Sequence, residues 1–161
     1  MALKITLKPG ERMIIGNAVI TNGATKTEFV VESNTPILRQ KDIMSAAKAD
    51  TPARRIYFCV QLMYVDGNNL VDHHKLYWEL VRDFVSAAPS SLGLIDELNE
   101  LIVQEKYYQA LKIARQLMNF EQEVVRRANQ CSESIPSRGP EDHVRTRNRS
   151  TCTHTSCAQT Y

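Results

Sequence analysis

The side chains of this sequence that could do chemistry are mainly basic, and they are concentrated near the N-terminus. Residues 1–60 contain nine Lys and Arg against five Asp and Glu, a net charge of +4, whereas residues 61–130 contain seven against ten, a net charge of −3. A basic segment of this kind favours a polyanionic partner. The candidate RNA-binding residues are Lys4, Lys8, Arg12, Arg39, Lys41, Arg54 and Arg55.

Three of these residues belong to one predicted strand and the turn after it. Lys4 and Lys8 alternate with apolar residues, so they share a strand face with Thr6. Arg12 follows across the predicted Pro9-Gly10 turn. Single-stranded RNA requires such donors for its phosphates and base edges. A solvated strand face without any partner explains the same pattern, and the sequence alone leaves both interpretations open.

The other four basic residues lie at the ends of predicted elements. Arg39 and Lys41 come at the end of the last strand, and Arg54 and Arg55 lie in the first turn of the first helix. Cations at a helix N-terminus oppose the helix dipole. A phosphate or a carboxylate partner would relieve that penalty.

Catalytic motifs are absent from the sequence. There is no Gly-x-Ser-x-Gly elbow and no glycine-rich phosphate loop, and no nucleophile stands beside a base in a recognisable motif. We therefore expect a binding protein and not an enzyme.

Metal-ligand patterns are weak as well. Cys152 and Cys157, with His143 and Cys131 upstream, lack a second paired half. Adjacent histidines such as His73-His74 point about 100° apart on a helix and cannot easily hold one metal ion together. We expect neither a metal nor another cofactor.

The expected compartment is the cytoplasm. The longest apolar runs are far shorter than the roughly 18 residues that span a bilayer. Charged residues alternate with apolar ones from Lys4 onward, so the N-terminus has no apolar secretory signal. The four cysteines are then expected to be reduced thiols.

The periodicity predicts an α+β fold. Residues 1–50 read as a small antiparallel β unit, with strands near 3–7, 13–15, 18–21, 28–32 and 37–39. Asn22-Gly23 predicts a tight hairpin that leads into the strand at 28–32.

Residues 51–130 predict a bundle of about four helices, at about 52–65, 70–87, 92–104 and 106–129. Thr51 is the expected N-cap of the first helix, and Leu76 and Tyr77 are expected to point into the bundle. Residues 131–161 are poor in large apolar residues and predict a disordered, divergent tail.

Several segments carry a resemblance to a known family. Residues 3–12 read LKITLKPGER, residues 15–23 read IGNAVITNG and residues 51–58 read TPARRIYF, and QLMY at 61–64 and YYQALK at 107–112 extend the pattern. In this order they resemble the flagellum biosynthesis repressor family, FlbT, to about residue 128. The resemblance implies a post-transcriptional regulator that binds the 5′ untranslated region of flagellin messenger RNA and promotes its degradation, with activators among some members.

A second resemblance concerns the β unit alone. Residues 7–16, LKPGERMIIG, are similar to the opening of the carbon storage regulator family, small β proteins that bind messenger leaders. Two consecutive arginines precede the Gly-Glu pair in that family, whereas Leu7-Lys8 stand at the matching positions here. The same RNA motif preference is therefore not implied.

Two classes of function stay open. In the first, the basic β surface binds the flagellin messenger leader, and the helices serve self-association or bind a flagellar assembly regulator protein, with no membrane involved. In the second, the chain is an adaptor or chaperone in flagellar assembly that does not touch RNA. Tyr107, Tyr108 and Trp78 would then line a docking groove, although burial in the bundle core is the simpler role for them.

Overall fold

Five short strands form the N-terminal part of the chain in a computed structural model that describes residues 2–133 and the side chains of residues 2–130. The strands are β1 (Leu3–Leu7), β2 (Arg12–Ile15), β3 (Ala18–Thr21), β4 (Thr27–Val31) and β5 (Ile37–Arg39). β1 pairs with β4, and β2 lies between β3 and β5, in each case antiparallel. The predicted antiparallel β unit is confirmed.

The strand pairing around Asn22 differs from the prediction. β3 does not form a hairpin with β4, because β4 pairs with β1 instead. The Asn22 side chain directs this crossing: its Nδ2 donates to the carbonyl oxygens of Leu7 and Lys8 at 3.1 and 2.9 Å, and its Oδ1 accepts from the Thr27 hydroxyl at 3.0 Å. The predicted hairpin is therefore wrong, since Asn22 bonds to β1 and to the start of β4.

Two successive residues of β2 pack into two different hydrophobic cores. Met13 is buried with Ile5 and Leu7 between the two sheets. Ile14, the next residue, joins Leu38 of β5 in the larger core formed by the helices. The three-stranded sheet thus connects the β unit directly to the helical part of the chain, because successive side chains of a strand point to opposite faces.

Four helices form the rest of the described chain: α1 (Pro52–Val65), α2 (Leu70–Ala87), α3 (Leu92–Val103) and α4 (Tyr107–Glu133). α1 packs against both α2 and α4, and α3 packs against α4. Their shared core includes fully buried Ile56, Val60, Tyr77, Leu98 and Leu117. The predicted α+β fold with four helices is confirmed, but Leu76 is 44% exposed, so its predicted inward position is wrong.

The end of α4 differs from the predicted boundary. The helix continues to Glu133 instead of ending near residue 129. Residues 131–133, the start of the predicted disordered tail, are therefore helical, and the prediction is wrong for them. The rest of the predicted tail, residues 134–161, lies outside the described residues. Within residues 2–133, no helix combines the length and the apolar composition needed to cross a membrane.

A linker with two 3₁₀ turns, Gln40–Asp42 and Ala46–Lys48, connects β5 to α1. The buried Gln61 side chain of α1 holds this linker in place. Its Oε1 accepts the Met44 backbone N–H at 2.7 Å, and its Nε2 donates to the Met44 carbonyl oxygen at 2.9 Å. Both backbone groups of Met44 are thereby satisfied, and Lys41 and Asp42 are kept beside the helices.

Candidate nucleic-acid interface

The basic side chains of the β unit meet the helices along three neighbouring clefts, which we call the basic groove. Lys41 lines all three clefts. The end cleft lies against the β1–β2 turn, the middle cleft lies between the strands and the tyrosines of α1 and α4, and the inner cleft lies over α1 and α4. The basic residues lining the groove are Lys4, Lys8, Arg39, Lys41, Lys112 and Arg115.

The end cleft, of about 400 Å³, is formed by the β1–β2 turn and the first turn of the linker. Gly10 makes this turn with a left-handed φ of 69°, which favours glycine. Lys8 and Lys41 line the cleft together with Glu11, whose carboxylate accepts the Lys8 backbone N–H at 2.9 Å. Arg12 lies beside the cleft, because its backbone N–H donates to Gln40 Oε1 at 2.8 Å.

The middle cleft, of about 370 Å³, combines cations with aromatic rings. Lys4 and Arg39 approach from the strands, and Tyr64 and Tyr108 approach from the helices. The two tyrosine rings lie with centroids 5.8 Å apart at 44°. Tyr64 is fixed because its hydroxyl oxygen accepts the Ile37 backbone N–H at 3.2 Å. This cleft therefore has the combination of charge and stacking surface that unpaired nucleotides use.

The inner cleft, of about 200 Å³, is organised by Arg115. Its guanidinium donates to Asp42 Oδ1 at 2.8 Å and to the Tyr57 hydroxyl at 3.2 Å. Tyr57 in turn donates to the Asp42 carbonyl oxygen at 2.7 Å. Burial raises the pKa of Tyr57, which favours the protonated phenol that donates this hydrogen bond. Arg115 thus acts as a support for the groove, with its charge already matched by Asp42.

Two cations in the β unit compete for one carboxylate. The Lys4 ammonium lies 2.8 Å from Glu28 Oε2, across the β1–β4 pair, and Lys26 lies 4.0 Å from Oε1. The Lys4 hydrogen bond is the main cause of the lowered pKa of Glu28, with smaller contributions from Thr6 and Lys26. Lys4 would have to leave Glu28 before it could bind a phosphate.

Apart from Lys4 and Arg115, the basic residues in and beside the groove have no such competitor. Among the residues with described side chains, the ion pairs involve none of Lys8, Arg12, Arg39, Lys41 and Lys112. An unpaired ammonium or guanidinium binds a phosphate without first breaking an ion pair, so these five residues form the available positive charge in the groove and directly beside it.

Arg54 and Arg55 lie apart from the basic groove. Arg54 pairs with Asp50 at 2.6 Å, and Arg55 lines an apolar cleft on another side of α1. The α1 N-terminus, for which the sequence predicts a phosphate or carboxylate partner, is occupied by Glu121 of α4. Its Oε1 accepts the Ala53 backbone N–H at 3.0 Å, and its Oε2 accepts the Thr51 hydroxyl. An internal carboxylate therefore takes the place expected for the ligand.

Sequence reasoning missed the contribution of α4 to the groove. Tyr108, Lys112 and Arg115 are spaced as i, i+4 and i+7, so they form one stripe on the helix. That spacing could have identified the stripe, but not the strands that it faces.

The three aromatic residues considered for a docking groove differ in burial. Tyr107 is half-buried with its hydroxyl 3.2 Å from His74 Nε2, whereas Tyr108 and Trp78 are 47% and 44% exposed.

The two adjacent histidines, His73 and His74, contact different partners. His73 Nε2 is 3.6 Å from Asp66 Oδ2, and His74 faces Tyr107. In the part of the chain that the structure describes, no three His, Cys, Asp or Glu side chains are grouped closely enough to hold a metal ion. The side chains of Cys131, His143, Cys152 and Cys157 lie outside the described residues.

Comparisons with known proteins agree with the resemblance seen in the motifs. The family model described as flagellar protein FlbT matches residues 3–125. A probable flagellum biosynthesis repressor protein FlbT 1 of Bradyrhizobium diazoefficiens is 44% identical over 125 residues, which are 77% of this chain and 85% of the relative. The corresponding protein of Rhodopseudomonas palustris is 40% identical over 79% of this chain and 100% of its own length.

A more distant relative is the flagellum biosynthesis repressor protein FlbT of Caulobacter vibrioides, 33% identical over 76% of this chain and 89% of its own length. No solved structure matches the chain significantly.

Proposed function

The chain belongs to the FlbT family of flagellar proteins, and from that premise we propose that it represses flagellin synthesis by binding the 5′ untranslated region of flagellin messenger RNA in the basic groove. Its relatives carry the name of flagellum biosynthesis repressors. Binding promotes degradation of the messenger. The protein acts in the cytoplasm as a binding protein, so a cellular nuclease performs the cleavage.

One observation carries the RNA proposal: unpaired cations and a half-exposed tyrosine line the same groove. Lys41 and Arg39 stand beside Tyr108 in the middle cleft, and Lys112 follows in the inner cleft. Phosphates require the cations, and unpaired bases require the aromatic surface. A groove that only solubilised the protein would not need an exposed aromatic ring between its charges.

A binding titration with the full-length protein tests this proposal. We expect fluorescence anisotropy to show tighter binding of the flagellin leader than of a scrambled RNA of equal length at fixed salt. Each phosphate contact should contribute about 0.7 to the slope of log affinity against log salt. Equal, weak binding of both RNAs would contradict the proposal.

The degradation step is tested in cells. Replacing Arg39 and Lys41 with Gln removes two unpaired charges from the groove, whereas Lys48→Gln removes one charge from an exposed site in the linker. After transcription is blocked, flagellin messenger should persist longer with the double variant than with the unmodified protein or Lys48→Gln. An unchanged half-life would exclude the groove from messenger decay.

An adaptor function is the second candidate, favoured by the apolar cleft between α2 and α4. This cleft of about 330 Å³ is lined by Phe84, Phe120, Val124 and Val125, with Arg55 and Asp83 among the residues at its border. A flagellar assembly regulator protein could place an apolar segment there. If the protein is an adaptor, Val124→Asp should abolish repression. The unmodified protein and the Val124→Asp variant should then both bind RNA only at the non-specific background.

A further inference from the structure

Tyr108 divides the basic groove. The middle and inner clefts share only Lys41, Asp42 and Tyr108 among their lining residues. Lys4 and Arg39 lie on one side of this boundary, and Lys112 and Arg115 lie on the other. A flexible polymer that occupies both clefts must therefore pass Tyr108, Lys41 and Asp42.

The Tyr108 ring is held in a defined position although it is 47% exposed. Tyr64 supports it at a centroid distance of 5.8 Å, and Tyr64 is itself fixed by the Ile37 backbone N–H. One helical turn further along α4, the Lys112 ammonium lies 5.2 Å from the centroid of the Tyr108 ring. A preoriented aromatic ring loses little conformational freedom when a ligand stacks on it.

Of the cations beside Tyr108, Arg115 has a carboxylate partner, and Lys112 has the Tyr108 ring itself as its neighbour. Arg115 is matched by Asp42 at 2.8 Å, so the nearest carboxylate of the groove is already engaged. Lys41 and Lys112 form no ion pair among the residues with described side chains. Phosphates can therefore be bound on either side of the ring.

We propose that Tyr108 stacks on an unpaired RNA base and separates two successive nucleotide subsites, one in the middle cleft and one in the inner cleft, while Lys41 binds the phosphate that joins them. This inference rests on the proposed RNA-binding function and specifies its ligand as single-stranded RNA. A base in a duplex is stacked and paired, so it cannot enter either cleft. The stack itself is tolerant of base identity, because every base has an aromatic face.

Three variants of the full-length protein test the stack. Tyr108→Ala removes the ring, Tyr108→Phe retains it, and Trp78→Ala removes an equally exposed ring from α2, outside the groove. With a short unstructured RNA we expect Tyr108→Ala to weaken binding by about tenfold or more, the effect typical of losing one base stack. Tyr108→Phe and Trp78→Ala should bind within about twofold of the unmodified protein.

An abasic oligonucleotide separates stacking from a merely structural role. This probe keeps the phosphates and lacks the bases, so the unmodified protein and Tyr108→Ala should bind it equally, and the salt slope should be the same for both. Unequal binding of the abasic probe, or unchanged binding of the normal RNA by Tyr108→Ala, would overturn the subsite proposal alone. No binding of either probe by the unmodified protein would overturn the RNA function itself.

Discussion

At the scale of single residues, ion pairing decides which cations can bind a ligand. Lys4 and Lys41 both line the middle cleft, but Lys4 is paired with Glu28 at 2.8 Å and Lys41 is unpaired among the residues with described side chains. Both lysines were predicted to belong to the candidate site, because their charge and spacing can be read from the sequence. It could not show that Glu28, 24 positions later, would lie across the strand pair from Lys4.

Removing this competitor should strengthen RNA binding. Glu28→Gln frees Lys4 to contact a phosphate, so we expect higher affinity at low salt and a slope steeper by up to about 0.7. Glu32→Gln is the matched control, since Glu32 is exposed, follows the end of β4 and lines none of the three clefts. Anisotropy titrations at several salt concentrations provide the measurement. An equal gain in both variants would mean that only overall charge matters.

A comparison of Lys41 in the linker with Arg55 in α1 tests where RNA binds. Lys41→Glu and Arg55→Glu make the same change in net charge, one inside the basic groove and one at the apolar cleft. We expect Lys41→Glu to weaken RNA binding at least tenfold more than Arg55→Glu. The Arg55→Glu protein should stay folded, because Arg55 is exposed and forms no ion pair among the residues with described side chains. A gel-shift titration in which both variants lose affinity equally would refute the groove as the interface.

At the level of strands and helices, local sequence patterns predicted which elements form. Contacts between distant segments determine how those elements are arranged. The strands, the four helices and the Thr51 cap with Pro52 could be predicted, because alternation, helical spacing and capping are local signals. The pairing of β4 with β1 could not be predicted, because it joins residues at least 20 positions apart, and the hydrogen bonds from Asn22 to Leu7 and Lys8 are also non-local. The same holds for Glu121, which caps α1 from 68 positions away.

The Glu121 cap should be measurable in the stability of the fold. Glu121→Ala leaves the Ala53 N–H and the Thr51 hydroxyl without their carboxylate partner, and we expect the free energy of unfolding to fall by about 1–2 kcal/mol. Glu123→Ala, two residues along the same helix, breaks exposed ion pairs with Arg126 and Arg127 and should lower the free energy of unfolding clearly less than Glu121→Ala does. Urea denaturation measures the free energy of unfolding of the two variants and of the unmodified protein. Equal losses would show that Glu121 is an ordinary surface acid.

At the scale of the whole molecule, the groove exists because the β unit and the helices share one core. Ile14 and Leu38 pack among the helices, which brings the strand cations next to Tyr108 and Lys112 of α4. The charge asymmetry of the sequence indicated a polyanionic partner for residues 1–60 alone. The structure adds Tyr108, Lys112 and Arg115 of α4 to the groove. Composition could not have identified these residues, because they come from a segment with net negative charge.

Mapping RNA crosslinks on the protein tests the central claim most directly. The flagellin leader, labelled with 4-thiouridine, would be irradiated with the full-length protein, and the crosslinked residues would be identified by mass spectrometry. We predict that they fall within residues 37–42 and 108–115, the two segments that contribute Arg39, Lys41, Tyr108 and Lys112 to the middle and inner clefts. Crosslinks concentrated in residues 52–55, 80–88 and 120–125, around the apolar cleft, would contradict the account.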